Sequence, residues 1–293
     1  MSTTVSQNIF AYKAKAFYDI TKFRLSSTVV FSGAFGFIIA SDKIDWIKVV
    51  LFCIAAFSTT AAANIINQII EKDLDKLMKR TENRPLPSGR LSVREAAVFG
   101  CIMAMIAMYI LFYEFNFRAG LLALLSMILY GFVYTPLKRV GSIAVAVGAL
   151  PGAFPPMIGW VAAVNHFGLE PGILFAIQFF WQFPHFWAIA WVLDEDYTKA
   201  GFKLLPSSGG QNLNSAIQIM IYTLFLLPLC WIPHYLGMTG INSGVIATIC
   251  GVLFLAQTFH LMRKVDRKAA LQLMFGSFVY LPVVQIAYLL DKV

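Results

Sequence analysis

Long apolar runs, repeated along almost the whole chain, limit its fold more than any other feature. A helix needs about 20 mainly apolar residues to cross a bilayer. Segments of that length recur at 24-41, 47-72, 94-113, 118-136, 142-164, 171-193, 214-236, 242-262 and 270-290. In hydrocarbon every backbone N–H and C=O must be satisfied by the segment itself or by surrounding protein, so such runs are helices. Of the 293 residues, 59% are hydrophobic and 13% charged, with a mean hydropathy of +0.71, which excludes an ordinary soluble domain. The expectation is an all-α membrane protein, a bundle of nine transmembrane helices forming one domain over residues 1-293.

Charge orients the bundle. Apart from Lys43, Lys48, Arg118 and Lys292, all 23 basic residues fall in the N-terminal segment and in alternate connections. The positive-inside rule puts that side in the cytoplasm, with residues 1-23 as a cytoplasmic N-terminal segment and the C-terminus outside. The net charge of +8 then reflects topology, so the lipid bilayer is the expected partner and nucleic acid is not. The first 22 residues include Asp19 and show no apolar core followed by a small-residue cleavage site, so neither a signal nor a transit peptide is expected. A bacterial cytoplasmic (inner) membrane fits that reading. Cys53, Cys101, Cys230 and Cys250 lie inside apolar spans without paired spacing, which argues for packing rather than zinc or disulfides.

Two longer cytoplasmic connections, about 73-93 and 194-213, hold most of the residues capable of chemistry. The first follows NIINQIIEKDLDKLMKRTENRPLPSGR, beginning at Asn64. At 100° per residue Asn64, Asn67, Glu71 and Asp75 fall within about 80° of one another, while Asp73 points away. Amides and carboxylates at that depth are costly unless they face protein, water or a ligand. Carboxylates one turn apart can share Mg²⁺, which keeps several waters and takes substrate phosphate oxygens. Lys79, Arg80, Arg84 and Arg90 follow, and arginine forks suit phosphate. Together they describe a diphosphate site at the membrane surface. A positive-inside loop explains the bases equally well, but explains Asn64 and Asn67 poorly.

The second constellation is QFFWQFPHFWAIAWVLDEDYTKAG, 178-201. If the helix continues past Pro184, Gln178, Gln182, His185 and Asp196 share one face, with Phe183, Phe186 and Trp187 beside the histidine. That setting suits a large flat apolar partner with a polar handle. Prolines in GALPGAFPPMIGW and QFFWQFPHFW are expected to break the fifth and sixth spans where they line a cavity, or simply to kink them. YTPLKR places Lys138 and Arg139 at the cytoplasmic end of the fourth span, as further diphosphate ligands or as topology anchors.

These motifs, in this order and spread over residues 20 to 290, closely resemble the heme-farnesylating branch of the UbiA-type intramembrane prenyltransferase superfamily. The resemblance implies nine helices around a central cavity, Mg²⁺ dependence, farnesyl diphosphate as donor and a vinyl group of heme b as acceptor, giving heme O. It implies a catalytic and metal set of Asn67, Glu71 and Asp75, with Asp196 from the second acidic motif and Arg80, Arg84, Lys138 and Arg139 on the diphosphate. Glu71 stands where the wider superfamily has Asp, and the second motif is incomplete, with Ala200 in place of an acid. The HF...DY..AG pattern puts Gln178, Gln182, His185, Asp196, Tyr197 and Lys199 on the heme side. A heme A synthase or terminal oxidase would receive the product. A prenyltransferase for an aromatic or quinone precursor would share the metal site. A transporter would instead space its polar groups through the bilayer depth, whereas here they gather toward the cytoplasmic ends.

Overall fold

The computed structural model describes residues 2–207 and 210–293. Among them nine helices are long and apolar enough to span a membrane: Phe23–Ala40, Trp46–Asp75, Val93–Phe115, Phe117–Leu137, Ile143–Val164, Leu169–Val192, Leu213–Tyr235, Ile241–Lys264 and Arg267–Leu290. Their bounds follow the apolar runs closely because nothing else in the chain could satisfy the backbone in hydrocarbon. Side-chain caps close several ends. Asp45 accepts from the amides of Ile47 and Lys48, and Ser92 and Glu95 form a reciprocal capping box.

Each span packs on its neighbours in sequence, and the ninth returns to the first. Contacts of the first span with the fifth, and of the sixth with the ninth, cross this ring and divide it into two groups of helices. The first and fifth spans touch backbone to backbone. A Cβ on Gly36 would run into the carbonyl of Pro156, and one on Gly159 into that of Gly33. Small residues permit such an approach between membrane helices.

Of the two readings of the prolines, a break and a kink within a continuous helix, the break is not what the structure shows. The fifth span runs unbroken through Pro151, Pro155 and Pro156, and the sixth through Pro184. A proline lacks the N–H that would bond the carbonyl four residues earlier, and neighbouring helices supply replacements. Pro155 frees the Pro151 carbonyl, which accepts from Ser126 Oγ at 3.3 Å. Pro156 frees the Gly152 carbonyl, which accepts from Gln178 Nε2 at 2.8 Å. Gln182 Nε2 adds a bond to the Ala149 carbonyl at 3.0 Å.

The N-terminal segment is itself helical over Ser2–Ile20. Ala16 and Ile20 bury against Ile65, Leu86, Leu91 and Ala96, and the pairs Lys13–Glu95 and Asp19–Arg90 tie it to the loop side. Arg90 thus serves the packing of this helix, donating also to the Asn83 carbonyl. Of the cysteines, Cys230 is buried, Cys53 and Cys250 are half-buried, and Cys101 faces outward; all four are free.

Candidate active site

A cavity of about 1200 Å³ runs from the basic end of the bundle into its middle, and both polar constellations open on it. The second span extends 30 residues, so its last turns project past the apolar region and carry their polar face inward. Asn64, Asn67, Glu71 and Asp75 are all buried. The face separation holds: Asp75 is 0% exposed, whereas the Asp73 side chain is 72% exposed and pairs with Lys76.

The side-chain oxygens of Asn67, Glu71 and Asp75 each meet a cation, while that of Asn64 accepts from the Tyr130 hydroxyl at 3.5 Å. Arg84 Nη1 lies 2.8 Å from both oxygens of Asp75. Lys138 Nζ lies 2.9 Å from Glu71 Oε1 and 3.1 Å from Oε2. Asn67 Nδ2 donates to Glu71 Oε2 at 2.9 Å and to Thr135 Oγ1 at 3.1 Å. Thr135 in turn bonds the Tyr130 carbonyl, which the wide π turn of Leu129–Tyr134 leaves available.

Lys22 completes the cluster. Its Nζ donates to Asn67 Oδ1 at 3.0 Å, and the residue joins the N-terminal helix to the first span in a left-handed conformation, φ 51°. That conformation costs a non-glycine residue roughly 1 to 3 kcal/mol and persists where surrounding structure fixes it. Here the second span fixes it, since Gln68 Nε2 donates to the Ile20 carbonyl at 2.7 Å and Asn64 Nδ2 to the Thr21 carbonyl at 3.4 Å. The two amides hold the corner, and the corner aims Lys22 inward. Burial, with Arg84 and Lys138 beside it, pushes the Lys22 ammonium well below its usual range, against the pull of Glu71 and Asp75. Arg80, Arg84 and Lys138 line the cavity facing Glu71 and Asp75, with Lys22 beside them, a surplus of positive charge that a polyanion would neutralise; the polyanion would also favour the charged form of Lys22.

The remaining residues of the sequence reading divide. Arg80 lines the mouth with its guanidinium 5.9 Å from the centroid of the Tyr197 ring, and Tyr197 lines the cavity too. Arg139 is exposed and lies outside the cavity lining. Asp196 leaves the shared face because the sixth helix ends at Val192, Leu193 turns the chain, and a short helix begins at Asp194. Instead of facing the cavity, its carboxylate accepts from the amides of Arg80 at 3.1 Å and Lys79 at 3.4 Å, and from Lys199 at 3.2 Å. Asp196 therefore clasps the two long connections together, with Lys199 bonded to it from its own short helix.

Gln178, Gln182 and His185 keep their common face and line the cavity. The two glutamines also repair the fifth span, as described. Gln178 Oε1 accepts from Ser32 Oγ and from Gln285 Nε2, the latter at 3.2 Å, while Gln285 Nε2 donates to Ser32 Oγ at 2.7 Å. This knot lies deep between the first, sixth and ninth spans, so polar groups are not confined to the basic end. In the sequence nothing local distinguishes Lys22 from Lys13, Lys15 or Arg24, so it has there only the weight of a topology anchor. Ser32, Ser277 and Gln285 lie outside the sequence motifs, although a lone glutamine inside an apolar span is a usable signal.

Among the described residues no three His, Cys, Asp or Glu side chains come together as a metal cluster. The Asn67, Glu71 and Asp75 oxygens nonetheless fit a hard cation that completes its coordination with water and phosphate.

The UbiA prenyltransferase family model matches residues 29–281. A protoheme IX farnesyltransferase of Cytophaga hutchinsonii is 55% identical over 284 residues, 97% of this chain and 99% of its own. That of Christiangramia forsetii is 43% identical over 297 residues, 100% of this chain and 98% of its own. Among solved structures, a digeranylgeranylglyceryl phosphate synthase superposes with a TM-score of 0.79 at 21% identity, covering 95% of this chain and 98% of that one. A UbiA homolog from Archaeoglobus fulgidus bound to DMAPP and Mg2+ gives 0.67 at 16% identity, covering 93% and 98%.

Proposed function

We propose that this chain, which belongs to the UbiA prenyltransferase family, transfers the farnesyl group of farnesyl diphosphate to a vinyl group of heme b, giving heme O. The observation that carries the reading is that one cavity joins a cation-rich carboxylate cluster to an aromatic chamber containing a histidine. The near full-length likeness to protoheme IX farnesyltransferases supports the choice of substrates. Family membership also sets the transporter alternative aside, and it leaves the deep Ser32–Gln178–Gln285 knot as a packing device. The His185 chamber favours a porphyrin over a small phenolic acceptor.

Lys22, Arg80, Arg84 and Lys138 bind the diphosphate and neutralise it as the allylic C–O bond breaks, which is stabilisation of charge where it develops. Mg²⁺ held by Asn67, Glu71 and Asp75 would supply a Lewis acid for the same leaving group. Phe52, Trp181, Phe186 and Phe278 wall the cavity and exclude bulk water from the carbocation. The vinyl π electrons form the new C–C bond, water adds at the adjacent carbon, and its proton leaves with the diphosphate. The basic end would face the cytoplasm of a bacterial inner membrane, and a heme A synthase or terminal oxidase would take the product. Incubation of detergent-purified protein with heme b, farnesyl diphosphate and Mg²⁺ tests the reading. The extracted porphyrin should gain the mass of one farnesyl group plus the hydroxyl; unchanged heme alongside a prenylated phenolic acceptor would reject it.

A further inference from the structure

His185 is clamped on three sides. Trp181 stacks on its face with ring centroids 4.5 Å apart, and Phe186 and Phe278 meet it edge-on at 5.4 and 5.0 Å. Its Nδ1 lies 2.8 Å from Ser277 Oγ on the ninth span. What the serine does next sets the direction of that bond. Ser277 Oγ donates to the Met274 carbonyl at 2.6 Å, one turn earlier on its own helix. A hydroxyl has a single proton, so toward His185 the oxygen can only accept, and Nδ1 must carry the imidazole proton. In a neutral ring that leaves Nε2 with a free lone pair. Nε2 has no protein partner among the described residues and is not sealed into the packing, so it opens on the cavity that His185 lines.

We infer that Ser277 is a positioning residue: it holds His185 in the Nδ1–H tautomer and so presents Nε2 to the iron of a porphyrin in the cavity. This rests on the acceptor reading above and adds the atom through which the acceptor is held. Recognition of a propionate by this ring is the alternative, and it would need a second proton on the ring. A carboxylate needs a hydrogen-bond donor, and Nε2 in this tautomer offers none. An iron needs the lone pair that Nε2 has. Imidazoles that ligate metals generally donate their other N–H to an oxygen, which fixes the tautomer and raises ligand basicity. Trp181 reinforces the arrangement by donating from Nε1 to the Ser277 carbonyl at 3.0 Å, which fastens the sixth span to the ninth beside the ring.

The test is a heme titration of detergent-purified parent, Ser277→Ala, His185→Ala and the double variant, followed by Soret position and affinity. Binding of farnesyl diphosphate with Mg²⁺ in each protein checks that the bundle is intact. Ser277→Ala should weaken heme binding about ten-fold, the lower end for losing a ligand's orienting partner, and should shift the Soret band; Ser277→Thr, which keeps the hydroxyl, should restore both. His185→Ala should lose the band, and added imidazole should return it. In the His185→Ala background Ser277→Ala should change nothing further. Were Ser277→Ala not to fold, the imidazole rescue of His185→Ala and the Ser277→Thr spectrum would still decide. If the parent binds no heme, the acceptor reading fails and this inference with it. If the parent binds heme and both alanine variants keep its spectrum and affinity, the acceptor reading stands and iron ligation by His185 is wrong.

Discussion

Arg84 reaches Asp75 symmetrically, its Nη1 2.8 Å from each carboxylate oxygen, and the aspartate beneath it is completely buried. One residue from the end of the second span and one from the following loop thus form a single unit at the mouth of the cavity. Two residues earlier, Asp73 has a 72% exposed side chain and pairs with Lys76.

Asp75→Asn should therefore lower farnesyl transfer by at least about 100-fold, the usual scale for removing a group aimed at developing or leaving charge. Asp73→Asn should stay within about two-fold of the parent, since exposed ion pairs contribute little. Both are measured as product mass per unit time over a Mg²⁺ titration. Equal losses would mean that the inward face of the second span does not hold the reacting charge.

Lys22→Ala should raise KM for the prenyl diphosphate by roughly 10- to 100-fold, the loss of one charge-assisted hydrogen bond of about 1.5 to 3 kcal/mol. Arg139→Ala should not, because that side chain is exposed outside the cavity lining. Steady-state kinetics with farnesyl diphosphate as the varied substrate separates them. A larger effect at Arg139 would bring that residue into the diphosphate site beside Lys138 and leave Lys22 with topology alone.

These two residues also mark how far the sequence carries. Apolar length and the 3.6-residue period located the spans and picked Asp75 over Asp73, because both follow from local geometry that hydrocarbon enforces. Lys22 depends on a left-handed corner held by Gln68 and Asn64 from another helix, which no local pattern records. Asp196 was placed on a face by extending a helix beyond its end; one turn at Leu193 redirects it to the amides of Lys79 and Arg80. The prolines left break and kink undecided because the glutamines that compensate them lie on the next span. In each miss the deciding partner is distant in sequence.

The clasp itself titrates in a defined direction. Hydrogen bonds from the Arg80 amide first, then from Lys199 and the Lys79 amide, hold the Asp196 carboxyl below its ordinary value of 3.8. A folded value below the unfolded one contributes stability that is complete above the unfolded value and is lost as pH falls through the folded value. The join between the two connections should thus be insensitive to pH across the neutral range and loosen only as pH falls below the ordinary carboxyl value of 3.8. Hydrogen exchange at the amides of Lys79 and Arg80 reads this directly. Asp196→Ala should speed that exchange at neutral pH while leaving Mg²⁺ affinity near the parent value; a large fall in Mg²⁺ affinity would return Asp196 to the metal site.

The sixth-span glutamines give the most demanding expectation, because it couples two helices. Gln178 Nε2 serves the Gly152 carbonyl, and that carbonyl is free only because Pro156 has no N–H to offer it. Gln178→Leu in the parent should leave a buried acceptor unsatisfied and cost about 1 to 3 kcal/mol, read as a lowered midpoint in thermal unfolding in detergent. Pro156→Ala restores an N–H four residues after Gly152, so the carbonyl regains a partner within its own helix. In that background Gln178→Leu should cost measurably less, with a coupling of about 0.5 kcal/mol or more between the two sites. The residue of the cost belongs to Ser32 and Gln285, whose donors to Gln178 Oε1 are lost in either background. Strict additivity would mean that the amide of Gln178 is not what replaces the missing bond of the fifth span. It would also return Gln178 to the set of cavity residues whose side chains are free to meet a substrate.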